Sequence, residues 1–326
     1  MKIGILGYGN LGKGVEQAIR YNKDMELAGV FTRRDPSTIA TITKNIPVYH
    51  IDSAKNMTNQ IDVMILCVGS MSDMPELGPV FASMFNTVDG YDNHAQIPGY
   101  FDTMNKSALE SGKVSIISSG WDPGMFSINR LYADAILPEG NTYTFWGKGI
   151  SQGHSNAIRR IKGVKDATQY TIPMENAIEA VRRGDMPVLT AGEKHRRECF
   201  VVAEEGADKT WIENEIKTMP DYFSEYKTEV HFITEEELKE NHSKLPHGGL
   251  VIRYGKTGFD GQNNHRIEYK LSLNSNPEFT ANVLVAFARA AYRLNREGVS
   301  GAKTVIDIAP AYLSNKSGEQ LRRELI

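Results

Sequence analysis

A chain of 326 residues with 40% hydrophobic content can bury a substantial core and is long enough for about two domains. Its formal charge of −3 argues against a general polyanion binder, so no nucleic acid partner is expected. Two cysteines, Cys67 and Cys199, stand far apart without a C-x-x-C, which argues against a disulfide framework or a zinc cluster, and no metal is expected.

The stretch from Lys2 to Gly14 reads as strand, glycine turn and helix. Ile3, Ile5 and Leu6 form a short apolar run, Gly7-Tyr8-Gly9-Asn10-Leu11-Gly12 fits G-x-G-x-x-G, and Val15, Ala18 and Ile19 continue at helical spacing. One glycine of such a motif allows the tight turn, one lets backbone approach a pyrophosphate, and one permits close packing of helix on strand. The helix N-terminus then offers free N–H groups to phosphate. With 29 glycines in the chain the motif alone could be a plain turn, but its context favours dinucleotide binding. A strand this close to the N-terminus leaves no room for a leader, and no apolar run reaches the roughly 18 residues that span a bilayer. A cytoplasmic protein without membrane contact is expected.

Leu27 to Phe31 reads as a second strand, followed by Thr32-Arg33-Arg34-Asp35-Pro36. An acidic residue about 20 positions past the turn would bind the ribose 2′-hydroxyl of NAD. Two guanidinium groups there attract a 2′-phosphate instead, which points to NADP. Ile61 to Val68 is a continuous apolar run, the pattern of a parallel strand covered on both faces. It leads through Cys67 and Val68 into Gly69 and Ser70, where open α/β sheets bind ligands. Phe85 to Asp89 and Val114 to Ser118 give further strands, with a helix around Tyr100 to Ser111. The alternation indicates an α/β fold of Rossmann type, a doubly wound parallel sheet over residues 1–120.

From residue 121 the character changes, and a second, α+β domain with a mixed or antiparallel sheet is expected over 121–276. Met125 to Leu137, Glu175 to Arg183 and Thr210 to Lys217 read as helices; Thr142 to Trp146, Gln169 to Ile172 and Cys199 to Val202 read as strands. Asn276-Pro277-Glu278 starts a long core helix, and Lys303 to Ile308 is expected as a strand returning, with residues 277–326, to the first domain.

Nicotinamide chemistry needs polar residues near the strand ends. Two carboxylate loops qualify, Asp89-Gly90-Tyr91-Asp92-Asn93-His94 and Gly120-Trp121-Asp122-Pro123-Gly124. A pair of aspartates could hold an ammonium group and accept its proton, although either could equally be a cap or turn residue. Ser151-Gln152-Gly153-His154-Ser155 reads as a polar loop able to cover a substrate, while Arg197 and His247 offer a cation and a hydrogen-bonding ring.

Taken together, GYGNLGKGVE, FTRRDPST, DVMILCVGS, NTVDGYDNH, VSIISSGWDPGMFSINR, TYTFWGKGISQGHS, GVKDATQYTIP, TMPDYF, LPHGG and SNPEFT closely resemble the NADP-dependent meso-diaminopimelate dehydrogenases. The resemblance covers almost the whole chain. It implies reversible oxidative deamination at the D-centre of meso-2,6-diaminopimelate, giving L-2-amino-6-oxoheptanedioate, which cyclises to tetrahydrodipicolinate, and ammonia, within lysine biosynthesis. It also implies a homodimer, with the second domain serving in substrate binding and dimerisation. Carried over by motif, Asp92, Trp121, Asp122, Trp146, Gln152, Gly153 and His154 surround the D-centre, with Asp92, Asp122 or His154, or a water they hold, taking the proton. Thr171, Arg197, His247 and Asn276 hold the distal L-amino acid end. Asn156 departs from the pattern, standing where the family carries an acidic residue after His-Ser.

Competing readings are a broader D-amino acid dehydrogenase, another two-domain NADP oxidoreductase such as a dihydrodipicolinate reductase or a sugar oxidoreductase, and an NADP-sensing protein without turnover. Neutral replacements of Arg33 and Arg34 should raise KM for NADP by at least about 10-fold and that for NAD far less. Equal changes for the two dinucleotides would show that these arginines do not read the 2′-phosphate.

Overall fold

The computed structural model describes residues 1–326, which fall into two compact units, Met1–Ile128 with Pro277–Ile326, and Asn129–Asn276. The chain crosses between them eight residues later than the sequence boundary at 120, inside a helix.

The first unit opens with β1 (Lys2–Leu6), α1 (Asn10–Arg20), β2 (Glu26–Thr32), β3 (Val48–His50) and β4 (Val63–Leu66). It continues with α2 (Met74–Ala82), β5 (Asn86–Asp89), α3 (Ile97–Ser111), β6 (Val114–Ile117) and α4 (Met125–Ile136), which carries the chain into the second unit. Strand β4 explains its own apolar run. Val63 and Ile65 join Ile3 and Ile5 in one core, while Met64 and Leu66 join Leu6 and Phe31 in another, so alternate side chains are buried on opposite faces.

The second unit holds two sheets rather than one. Strands β7 (Gly140–Trp146) and β8 (Gly149–Ile150) precede α5 (Gln152–Arg159), β9 (Val164–Pro173), α6 (Glu175–Arg183) and α7 (Ala191–Lys194). Then come β10 (His195–Ala203), α8 (Lys209–Thr218), β11 (Thr228–Phe232), α9 (Glu235–His242), and the long hairpin of β12 (His247–Thr257) and β13 (Asn263–Leu273). The four-stranded sheet runs β11-β10-β9-β8, with β11 parallel to β10 and the other pairs antiparallel; the three-stranded sheet runs β13-β12-β7 and is antiparallel throughout. Separate apolar faces make separate sheets. Ala167, Cys199 and Val201 pack with Ile158, Ile212 and Ile216, whereas Phe145, Leu250 and Ile252 pack with Ile178 and Val181. Ser151 to Ser155, expected as a covering loop, is instead the cap and first turn of α5, a short helix whose pattern Gly153 interrupts.

The chain re-enters the first unit through α10 (Asn276–Arg296) and finishes with β14 (Gly301–Thr304) and α11 (Gly318–Leu325). The expected strand at Lys303 to Ile308 stops at Thr304. The Thr304 hydroxyl accepts the N–H of Ile306 and Asp307 reaches back to Thr304, which starts a 3-10 turn in its place. The completed sheet has order β14-β6-β5-β4-β1-β2-β3, every pair parallel, with its switch point between β1 and β4. Helix α10 covers one face with Ala281, Leu284, Phe287, Ala288 and Ala291. Its Arg289 is buried and grips Asp24 by two contacts of 2.7 and 2.9 Å, Asn22 at 2.7 Å and the Leu313 carbonyl at 2.7 Å. No helix is long and apolar enough to cross a membrane.

Gly14 sets how near α1 and α10 can lie: a Cβ there would stand 2.9 Å from the Ala281 Cβ and 3.1 Å from the Pro277 carbonyl oxygen. Gly14→Val should therefore lower unfolding stability by about 1–3 kcal/mol through overpacking. Urea denaturation reads this, and an unchanged midpoint would show that the two helices part at no cost.

Candidate functional site

In the first unit the glycine motif lies at the switch point. Gly7 adopts φ +89 and lies against the Cys67 backbone, where a Cβ would stand 2.8 Å from the Cys67 carbonyl oxygen. A Cβ on Gly12 would overlap the Gly7 carbonyl, so Gly12 closes the turn on itself, and it is Gly14 that admits the neighbouring helix. Gly9 is the N-cap of α1, has no side chain to occupy the helix N–H groups, and has open space where a Cβ would be. That open cradle at a helix N-terminus fits a pyrophosphate.

At the end of β2 a cavity of about 220 Å³ is lined by Gly7, Tyr8, Thr32, Arg33, Arg34 and Val68, among others. Arg34 donates to the Tyr8 carbonyl at 3.0 Å and its N–H to the Thr32 hydroxyl at 3.1 Å; Arg33 pairs with Asp73 at 2.7 Å. The paired guanidinium groups at the mouth fit a ribose phosphate better than bare hydroxyls. A larger groove of about 620 Å³ lies at Lys2, Arg20 and Glu26, by the opposite ends of β1 and β2, and contains none of the expected site residues. Tyr8 turns its ring inward, its hydroxyl bonded to buried Glu16, so only its backbone faces the cavity. Cys67 does not line the cavity: its side chain belongs to the core, and burial pushes its thiol well above the ordinary range. Ser70 accepts the N–H of Asp92 at 3.1 Å, tying the loop after β4 to that after β5.

Asp92 is exposed at the carboxyl end of β5. Trp121 and Asp122 follow β6, the strand beside it. Trp121 is buried and meets Phe126 edge-on at 5.3 Å, and its carbonyl accepts the Phe126 N–H at 2.8 Å at the start of α4. The loop is closed further by the Gly120 N–H to the Pro123 carbonyl at 2.9 Å.

In the second unit the strand register lines up a row of polar groups. Thr171 on β9 pairs with Arg197 on β10 on one side and with Gly149 on β8 on the other. Gly149 lies so near His247 that a Cβ would stand 2.6 Å from the His247 Cα. Asn276 joins nearby by its N–H to the Leu245 carbonyl at 2.9 Å. Arg197 is buried, donates to the Thr171 hydroxyl, and places its guanidinium 3.9 Å from the centre of the Tyr226 ring. Its Nε has no hydrogen-bond partner, and none of the chain's carboxylates pairs with it. Burial holds the guanidinium pKa below its usual value. A buried cation without a carboxylate carries a charge that no group of opposite sign in the chain offsets, which is costly.

His154 sits in the first turn of α5, its Nδ1 2.7 Å from the Ser151 hydroxyl and its ring edge-on to Tyr222 and Phe223. Burial and then the Arg197 charge bring it down to about 4, so it is neutral near pH 7. Gln152 and Gly153, one step earlier, are exposed. Trp146 ends β7 and is held by His195, which the sequence offers only within the cationic run Lys194-His195-Arg196-Arg197 and without a role. The His195 Nε2 accepts the Trp146 N–H at 2.7 Å, and the two rings stack at 5.2 Å with 17° between planes. Burial, followed by the Arg197 and Lys194 charges, takes His195 down to about 3. Alternation along β10 could have found it, since His195 and Arg197 share one face. Asn156 is exposed and accepts from Arg159 at 2.7 Å. Glu198, Glu229 and His231 gather on β10 and β11, where Lys148, Arg196 and Lys227 lie within 4.0 Å of the two carboxylates.

Residues 120–275 match the family model described as the diaminopimelic acid dehydrogenase C-terminal domain. A meso-diaminopimelate D-dehydrogenase of Acetivibrio thermocellus is 65% identical, the alignment covering 100% of this chain and 98% of the relative. Among solved structures, the C. glutamicum diaminopimelate dehydrogenase in complex with DAP superposes with a TM-score of 0.93 at 48% identity, covering 100% of this chain and 99% of the other. An engineered D-amino acid dehydrogenase bound to NADP+ gives 0.88 at 47% identity with the same coverage. The chain belongs to the meso-diaminopimelate D-dehydrogenase family.

Proposed function

We propose that the protein catalyses the reversible, NADP-dependent oxidative deamination of meso-2,6-diaminopimelate at its D-centre, with water as co-reactant, to L-2-amino-6-oxoheptanedioate and ammonia. Family membership at high identity supports the reaction, and one observation in the chain supports the substrate. Arg197 is a buried guanidinium without a carboxylate partner, paired with Thr171, which pairs in turn with Gly149, against which His247 lies.

A second amino acid head group is the ligand that such a row suits. Its carboxylate would pair with Arg197, in charge-assisted bonds worth about 1.5–3 kcal/mol, with Thr171, His247 and Asn276 completing the contact. At the reacting end, Asp92 and Asp122 are assigned to the ammonium group. One of them, or a water they hold, takes a proton from it as Cα is oxidised. His154, neutral and weakly basic, suits hydrogen bonding to the substrate better than deprotonating it. Trp121, Trp146, Gln152 and Gly153 are assigned to shielding and shaping the same end, with Trp146 held by His195.

The bound nicotinamide would supply the hydride acceptor. The residues assigned to hold the cofactor are the turn Gly7, Tyr8, Gly9, Asn10, Leu11 and Gly12, then Thr32, Arg33 and Arg34 for the adenosine end, and Cys67, Val68, Gly69 and Ser70 after β4. The choice of NADP is supported by the two arginines lining the cavity at the end of β2 and by the NADP+ complex of the engineered relative. A homodimer, a cytoplasmic setting and a role in lysine biosynthesis are assigned on family resemblance.

Arg197→Met should lower kcat/KM for meso-diaminopimelate by roughly 10–100-fold while changing that for D-alanine by less than about 3-fold. An NADP-linked assay on both substrates reads the ratio. A uniform loss would sink the anchoring role of Arg197.

A further inference from the structure

Both loops assigned to the ammonium group leave the sheet beside one buried carboxylate, the first residue of the Asp89 to His94 loop, to which neither pattern nor resemblance gives a role. Asp89, the last residue of β5, is completely buried. Its Oδ1 accepts the N–H of Tyr91 at 2.9 Å, one residue before Asp92, and the N–H of Ser118 at 3.0 Å, immediately past β6. Its Oδ2 accepts the Tyr100 hydroxyl of α3 at 2.9 Å, and its carbonyl accepts the Ser119 N–H at 2.8 Å.

The register of β5 with β6 is carried by Thr87 with Ser115 and Val88 with Ile116. Beyond that point the strands part toward Asp92 and toward Trp121-Asp122, and Asp89 supplies the cross-links that the ladder no longer does. Ser118 is held there at φ +56, a conformation that a residue with a Cβ adopts only when its surroundings impose it. No cation answers the carboxylate. The titratable groups around it are Tyr100 on α3 and Tyr91 on its own loop, with Asp92 beyond Tyr91. Burial pushes the carboxyl up to about 6. A buried carboxylate without a cation is costly, and what it provides in return is charge-assisted bonds to two backbone N–H groups, roughly twice as strong as neutral ones.

We propose that Asp89 is a positioning residue for the reaction: by holding the Tyr91 and Ser118 N–H groups on one oxygen, it fixes the Asp92 loop against the Trp121-Asp122 loop. It thereby sets the spacing of the two carboxylates that grip the substrate ammonium, and it touches no reacting atom itself. The inference rests on the assignment of Asp92 and Asp122 to that group.

The test compares full-length Asp89→Asn and Asp89→Ala with the parent protein. Asn keeps an oxygen where both N–H groups point; Ala keeps none. For Asp89→Ala, kcat/KM on meso-diaminopimelate should fall about 100-fold, the scale of an ångström of misplacement, whereas Asp89→Asn should stay within about 5-fold. NADP dissociation constants, read by fluorescence titration, should move less than about 2-fold in both. The linkage sign gives a folding control. With its folded pKa raised above the unfolded value near 3.9, Asp89 stabilises the protein less as pH rises from about 4 to about 6, so Asp89→Asn should melt no lower than the parent at pH 8. Should Asp89→Ala fail to fold, Asp89→Ser, too short to reach both N–H groups, takes its place. Parent-like kinetics in the folded Ala or Ser variant, equal losses in Asn and Ala, or a matching loss of NADP affinity would each overturn the inference alone. A parent protein inactive on meso-diaminopimelate would overturn the functional reading and this inference with it.

Discussion

The first unit depends on covering both faces of a parallel sheet whose interior strand β1 is buried apart from Lys2. Ile3 and Ile5 are fully buried, and so are Val63 and Ile65 on β4 beside them. Each such side chain contributes roughly 1.5–3 kcal/mol when removed from water, and on this face the cover comes from α1 and from α10, far away in sequence. The glycine turn sits at the carboxyl end of β1. Its φ +89 and its closeness to the Cys67 backbone are open to Gly7 because it carries no Cβ.

Much of this was legible in the sequence because parallel strands carry a strong signal. Ile61 to Val68 could hardly be anything but a strand buried twice over, and the arginines after β2 announce what the nearby cavity suits. The second unit was less legible. β12 and β13 form its longest hairpin, yet β13 opens with four exposed residues before exposed and half-buried ones alternate, so its apolar content is low. The first turn of α5 passed for a loop because Gly153 and three polar neighbours mask a helix that is short and amphipathic. A strand was expected through Ile308, but local hydrogen bonding by Thr304 and Asp307 overrode the apolar run.

The candidate site shows the same division. Residues whose own chemistry is distinctive, such as Asp92, Asp122 and Arg197, could be named from the chain alone as possibilities, and the family motifs gave them roles. Residues that act through others could not. His195 and Asp89 owe their importance to what lies opposite them across a sheet, and alternation along β10 marks only the face of His195, not its partner. Both are titratable groups taken out of their ordinary range by burial, one imidazole toward neutrality and one carboxyl toward protonation. Burial thus does electrostatic work in both units: it keeps the His195 ring beside Trp146 an acceptor, and it pushes the Asp89 carboxyl up to about 6.

The connectivity of the first unit also orders events during synthesis. An emerging chain has its glycine turn within the first dozen residues, but the side of β1 that carries Ile3 and Ile5 lacks the α10 half of its cover until Pro277–Ile326 has been made. The second unit, a single uninterrupted stretch, has all its strands in hand before then. The first unit is therefore complete only after the second has been made, and over that interval its uncovered sheet face is open to misassembly.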